Sequence, residues 1–457
     1  MMDRNQAHPE GVELPNPMLG QEAHERRSIV TIFERLESNV RGYCRSFPVT
    51  FATAQNALLV DDEGTEYIDF LAGAGTLNYG HNNPRLKAAL VEYLNSDGVL
   101  HGLDMHTEAK AQFLEVLEQQ ILWPLELDYK VQFTGPTGTN AVEAAFKLAR
   151  KVTGRTGIVS FTNGFHGVSL GSVAATGNSH FRDAAGVPLD HVSFMPYDGY
   201  LGDEANTLDY FAKFLKDSSS GLDLPAAVVV ETVQGEGGAN VASFEWLQGL
   251  EELCREFEIL LIVDDIQVGC GRTGTYFSFE NAGIVPDIVT MSKSLSGYGL
   301  PMSLVLMKAE LDQWKPGEHN GTFRGNNLAF VSAARAIELF WSDLALSREV
   351  HRKGQRTRER LQQISDDVSA VELEVRGRGM IQGLGCRECP KLAEAVSGAA
   401  FERGLIIETS GTDGHLLKLL PPLTIESDLL EKGLDIIEES YHAVLSDSAT
   451  RRELELV

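Results

Sequence analysis

The sequence predicts an α/β protein, with a large domain built on a mostly parallel central sheet and a smaller α+β domain. Three observations predict it. Between residues 131 and 308, short apolar runs (VQFT, GIVSF, HVSFM, AAVVVE, LLIVDD, DIVTMS) alternate with amphipathic stretches such as 140–152 and 244–257. Apolar runs that lack a two-residue alternation are strands covered on both faces, and intervening helices are what make such a sheet parallel. Residues 346–457 change character, mixing helical spacing with short strands such as VELEVRG and GLIIET. The chain is 457 residues long and 43% hydrophobic, enough for a large core.

The elements follow in order. Residues 1–27 carry Pro, Gly and charge without an apolar core, which reads as a flexible arm and not a signal peptide. Residues 28–44 place Ile29, Ile32, Phe33, Leu36 and Val40 on one helical face. Residues 47–70 read as short strands around a turn at Asp61-Asp62-Glu63-Gly64. The stretch LAGAGTLNYGHNNP is loop, and Pro84 opens a helix reaching Asn95. Segment 28–95 is expected to contribute to the small domain, 96–345 to form the large domain and 346–457 to complete the small one.

Bulk properties exclude several function classes. The formal net charge is -26, against the basic face that nucleic-acid binding needs. An anionic ligand must therefore find locally placed donors. The mean hydropathy is -0.12 and no apolar run approaches a membrane span; a cytoplasmic protein is expected. The five cysteines are too sparse for a disulfide framework. Cys386 and Cys389 form a lone CxxC without a second pair or nearby histidines, so no metal site is expected. No GxGxxG follows a strand, which argues against a dinucleotide-binding dehydrogenase.

Three motifs carry chemistry. In TGPTGTNAVEAAFKLARK, a Gly/Thr-rich loop opens a helix at Thr137, Gly138 and Thr139. That is either a phosphate seat or an ordinary capped helix. In LLIVDDIQVGCGRTG, an apolar strand delivers Asp264 and Asp265 to its carboxyl end. A buried carboxylate there either pairs with a cation, such as a pyridinium nitrogen, or caps a turn. In PDIVTMSKSLSGYGLP, a strand delivers Lys293 among small residues. Such a lysine is either a snorkelling surface residue or a Schiff-base former with a lowered pKa. Phe165 is either a plate for a flat ring or plain core. All fall at the ends of apolar runs, where open α/β sheets bind ligands.

These residues carry a resemblance. TGTNAVEAA, NGFHG, ETVQGEGG, VDDIQVGCGRTG, SKSLSGYGLP, HNGTFRGNN and PPL, in register over about residues 28–445, resemble the class III, or ornithine-type, aminotransferases of pyridoxal phosphate (PLP) fold type I. Within that class the chain is most similar to the diaminobutyrate–2-oxoglutarate transaminases of ectoine biosynthesis. The resemblance implies PLP as cofactor, with Lys293 holding it as a Schiff base and then carrying the proton. It implies Asp264 at the pyridinium nitrogen, Gln267 at the phenolic oxygen, Gly138 and Thr139 at the phosphate, and Phe165 against the ring, with His166 beside it a cofactor contact whose role is structural and not catalytic. Thr322 is implied to reach the phosphate of a neighbouring subunit's cofactor, which makes the protein a homodimer or a higher homo-oligomer. Glu231 and Glu236 are implied beside the substrate, Glu236 as a gate over the carboxylate-binding cation. The implied substrates are an amino acid and a 2-oxo acid.

One departure stands out. The family pattern Arg-x-x-Pro-Pro-Leu reads here Lys418-Leu419-Leu420-Pro421-Pro422-Leu423. Arginine grips a carboxylate with a bidentate fork, whereas lysine offers a point charge. Lys418 takes the task, or Arg272 or Arg324 replaces it. Ornithine-type and 4-aminobutyrate-type chemistry, and diaminobutyrate supply to siderophores or peptides, are the rival readings. A non-catalytic module would not need both Lys293 and Asp264.

Overall fold

The computed structural model describes residues 31–202 and 205–454. The expected arm, residues 1–27, lies outside the described residues.

Residues 31–49 form a unit of their own. The helix expected over 28–44 is instead two short ones, Ile32–Leu36 and Tyr43–Ser46, the first closed by a Thr31–Glu34 capping box. Residues 28–30 lie outside the described residues. Ile32, Phe33, Leu36 and Val40 are all exposed. Without burial of the apolar face, helical spacing alone does not sustain a long helix.

From residue 50 onward the core is a seven-stranded sheet. Its strands run Tyr129–Phe133, Leu304–Lys308, Ile288–Met291, Leu260–Asp264, Ala227–Val230, Ile158–Phe161 and Val192–Met195 across the sheet. Six of these match the apolar runs named above. Leu304–Lys308 was not anticipated and is antiparallel to both neighbours. It returns the chain after the loop that carries Lys293. Side chains alternate between two cores: Val228, Val230, Leu261 and Val263 face one, Ala227, Val229 and Ile262 the other. The second face is covered by helix Gly138–Thr153, which buries seven residues from Ala141 to Ala149.

Strands Glu374–Arg378, Ile381–Gly385, Leu416–Leu419 and Glu408–Ser410 make an antiparallel sheet in that order. The expected single strand GLIIET splits in two. Leu405–Ile406 pairs in parallel with Glu66–Asp69, while Glu408–Ser410 crosses to Leu416–Leu419. The chain changes sheets at Ile407, so Glu408 faces Lys418. Cys386 and Cys389 are buried in the core beneath these strands. Among the described residues no helix is long and apolar enough to cross a membrane.

Candidate active site

Parallel strands end on one edge of the sheet, and the chemistry gathers there. A cavity of about 250 Å³ opens at that edge, lined by Gly138, Thr139, Phe165, Glu231, Asp264 and Lys293 among others. His166, Glu236 and Gln267 also face it.

Lys293 follows strand Ile288–Met291 and takes a left-handed backbone, φ +50°. A non-glycine residue there is strained, and the fold tolerates it because the turn aims the side chain into the cavity. Lys293 Nζ donates to the Ala74 carbonyl at 2.9 Å. Burial pushes its amine below the usual lysine range; Glu236 pulls it up and Lys418 pushes it down. Ala74 belongs to a left-handed turn over Ala72–Gly75, with φ from 47° to 81°. The small residues of LAGAG suit that turn.

Asp264 ends its strand with its carboxylate held from two sides and still on the cavity wall. Its Oδ2 lies 2.7 Å from His166 Nδ1, and its Oδ1 accepts from Thr290 Oγ1 at 3.0 Å. Both side chains are buried. Burial works against a charged His166, and the Asp264 carboxylate outweighs it and raises the ring's pKa. Asp265 turns the other way and accepts from the Ser278 N–H; burial pushes it up to about 7.

Phe165 stands on the cavity wall with Phe181 edge-on behind it at 5.3 Å. Its N–H donates to Glu231 Oε1 at 2.8 Å. Burial pushes Glu231 up to about 7. Gly138 and Thr139 begin the helix whose first turn holds no acid. Thr139 Oγ1 is 2.5 Å from Ser169 Oγ. A Cβ on Gly138 would press on Ile266 at 3.0 Å.

Gln267 Nε2 donates to the Ala74 carbonyl at 3.1 Å and to Glu236 Oε1 at 3.0 Å. Gln267 Oε1 is buried without a hydrogen-bond partner. Glu236 Oε1 also receives Lys418 Nζ at 2.7 Å, and Lys418 Nζ lies 3.2 Å from Glu408 Oε1. Lys418 is wholly buried behind Glu236 and is not on the cavity wall.

The cavity fits the group that the resemblance implies. A helix N-terminus offers N–H groups to a phosphate at one end. A buried carboxylate suits a ring nitrogen, an aromatic plate covers one face, and an amine of lowered pKa waits nearby. Gln267 Oε1 packs against Gly235, where a Cβ would overlap it, and this leaves the amide end of Gln267 beside the cavity.

Other expected residues are elsewhere. Thr322 is exposed and does not line the cavity. Arg272 is wholly buried, donating to Met380 O, Pro421 O and Asn78 Oδ1. Arg324 pairs with Asp104 at 2.9 Å. Neither arginine reaches this cavity, and Arg272, enclosed in the core, drops out as a stand-in for the missing clamp. Sequence reasoning missed Thr290, Ala74 and Glu408. Thr290 could have been found by its place on the strand beside Asp264. Glu408 carried no signal, because it sits within an apolar run.

Residues 42–440 match the family model for class III aminotransferases. The chain is 62% identical over 416 residues to a diaminobutyrate–2-oxoglutarate transaminase of Bordetella parapertussis, covering 91% of this chain and 96% of that one. It is 61% identical over 418 residues to the enzyme of the same name from Halomonas elongata, covering 91% and 99%. Its fold is similar to the ornithine aminotransferase of Toxoplasma gondii, with TM-score 0.79, 26% identity and coverage of 95% and 99%. With the sheet, the cavity and its lysine in agreement, the chain belongs to the class III aminotransferases, which are PLP-dependent enzymes.

Proposed function

We propose that this protein transfers the amino group of L-glutamate to L-aspartate 4-semialdehyde, giving L-2,4-diaminobutyrate and 2-oxoglutarate. The observation that carries the reading is the 62% identity, across nine tenths of the chain, to relatives of that name.

PLP, when bound, supplies the electron sink that lets a proton leave a carbon beside nitrogen. Lys293 holds the cofactor and then, as a free amine, moves that proton at Nζ; its lowered pKa keeps it able to accept one. Asp264, held in place by His166 and Thr290, would face the ring nitrogen. Gly138 and Thr139 would hold the phosphate, Phe165 would cover the ring with His166 beside it, and Gln267 would orient the phenolic oxygen. Glu231 borders the substrate.

Glu236 resolves a conflict between the two substrates. Glutamate reacts at a carbon bearing a carboxylate; the semialdehyde reacts at a terminal carbon that bears a hydrogen in its place. With Glu236 on Lys418, the cation is covered and the second substrate fits. With Glu236 turned away, Lys418 meets the carboxylate of glutamate.

Thr322 is assigned to the site of a partner subunit in a homodimer; its exposure beside exposed Phe323, away from its own cavity, supports this. The cytoplasm and ectoine biosynthesis are the inferred setting, from the resemblance to that subfamily. The test is to incubate the PLP-loaded protein with glutamate and the semialdehyde. Diaminobutyrate and 2-oxoglutarate in equal amounts support the reading. Turnover of ornithine or 4-aminobutyrate in place of diaminobutyrate overturns it.

A further inference from the structure

We propose that Glu408 is the standing partner of Lys418, holding the ammonium in place while Glu236 and the substrate carboxylate exchange on its other side. The inference rests on the functional reading above and concerns how one lysine serves both substrates.

The geometry separates two roles. Glu408 and Lys418 face each other across paired strands, in direct register. Glu408 is 7% exposed and Lys418 0%, so neither has room to leave. Glu236 is 27% exposed and lines the cavity. It is the only one of the three on that wall. The hairpin between the two strands is also tied to the Glu236 loop, through the Gly411 N–H to the Glu236 carbonyl at 3.0 Å. Backbone and cation therefore stay fixed while the Glu236 side chain moves.

The chemistry requires such a partner. A buried ammonium stripped of its only carboxylate loses its proton or moves toward water. An arginine in that position would keep its charge regardless; a lysine does not. Three charged groups act on this amine: Glu236 from its loop, Glu408 from the opposing strand, and Lys293, which in turn feels Asp264. Lys418 is held above the usual lysine range, burial opposing and the two glutamates prevailing. Glu236 is held low: burial opposes, and Lys418 and then Lys293 prevail. Glu408 is pushed up by burial and by Glu236, with Lys418 pulling back. Departure of Glu236 removes that repulsion, so Glu408 becomes the stronger anion as it is needed. The incoming carboxylate then finds a charged, anchored donor.

The experiment follows the two half-reactions separately, by the loss of absorbance of lysine-bound PLP on adding L-glutamate or L-2,4-diaminobutyrate. Wild-type protein must react with both; if it does not, the functional reading fails and this inference is not what failed. In Glu408→Gln, Lys418 loses its proton at lower pH once Glu236 leaves. Apparent affinity for glutamate should fall about ten-fold at pH 8.5 and less than about two-fold at pH 6.5, while diaminobutyrate changes less than about two-fold at either. Glu408→Asp keeps the charge but draws it back by a methylene, and should show the same selective pattern at about three-fold. Equal losses for both substrates, in either variant, would mean a structural role and overturn the proposal. So would a glutamate loss that does not grow with pH.

Discussion

Lys418→Met puts the buried triad to its hardest test. The substitution keeps the volume of the side chain but removes the charge, leaving Glu236 and Glu408 side by side in a dry site. In the native fold Lys418 Nζ sits 2.7 Å from one carboxylate and 3.2 Å from the other. Removing one partner of a buried pair costs about 3–5 kcal/mol, because the charge left behind is uncompensated. The loss should depend on pH, and its sign follows from the shifts. Lys418 is raised, so its own contribution is full below the unfolded pKa and constant between pH 5.5 and 8.5. Glu236 is depressed, so its contribution is full above the unfolded carboxylate pKa and fades only in strong acid. In the variant the attraction is gone, and burial with mutual repulsion raises both carboxyls. They are costly at pH 8.5 and relieved as they take up protons near pH 5.5. Urea unfolding of PLP-saturated protein should show a loss of about 3–5 kcal/mol at pH 8.5, at least about 1 kcal/mol smaller at pH 5.5. An equal loss at both pH values, or one below about 1 kcal/mol at pH 8.5, would refute the reasoning.

Three further outcomes follow from the cavity. Asp264→Asn removes the charge facing the ring nitrogen and should weaken PLP retention about 100-fold or more, read by dialysis and cofactor fluorescence. Gly167→Ala places a Cβ 2.7 Å from Thr139 at φ +114°; strain of about 1–3 kcal/mol should weaken PLP binding by about 5- to 100-fold. Glu231, pushed up to about 7 by burial, gains its charge as pH rises from 6 to 8. The apparent affinity for anionic glutamate should fall across that window, and Glu231→Gln should flatten the fall in a kcat/KM profile.

The sheet was legible because its strands are buried on both faces, so VVV and LLIV write themselves as unbroken apolar runs. Lys293 and Asp264 were legible for the same reason: each is a charge set at the end of such a run. The antiparallel return at Leu304–Lys308 was not, since strand direction leaves no mark on an apolar run. Helix 28–44 misled because its periodicity describes a face, not what covers it. Glu408 was hidden by its neighbours: GLIIET reads as one strand, and only the change of sheets at Ile407 turns that carboxylate toward Lys418. Arg272 failed on geometry as a substitute for the missing arginine, since it serves three acceptors in the core.

The central claim is that Lys293 is the amine that carries the cofactor. Reduction of the PLP-loaded protein with borohydride, followed by peptide mass spectrometry, reads this directly. The account predicts a pyridoxyl-phosphate mass on the peptide containing Lys293, and its loss in Lys293→Ala. The mass on Lys418 or any other lysine, or retention of covalent cofactor in Lys293→Ala, would contradict it.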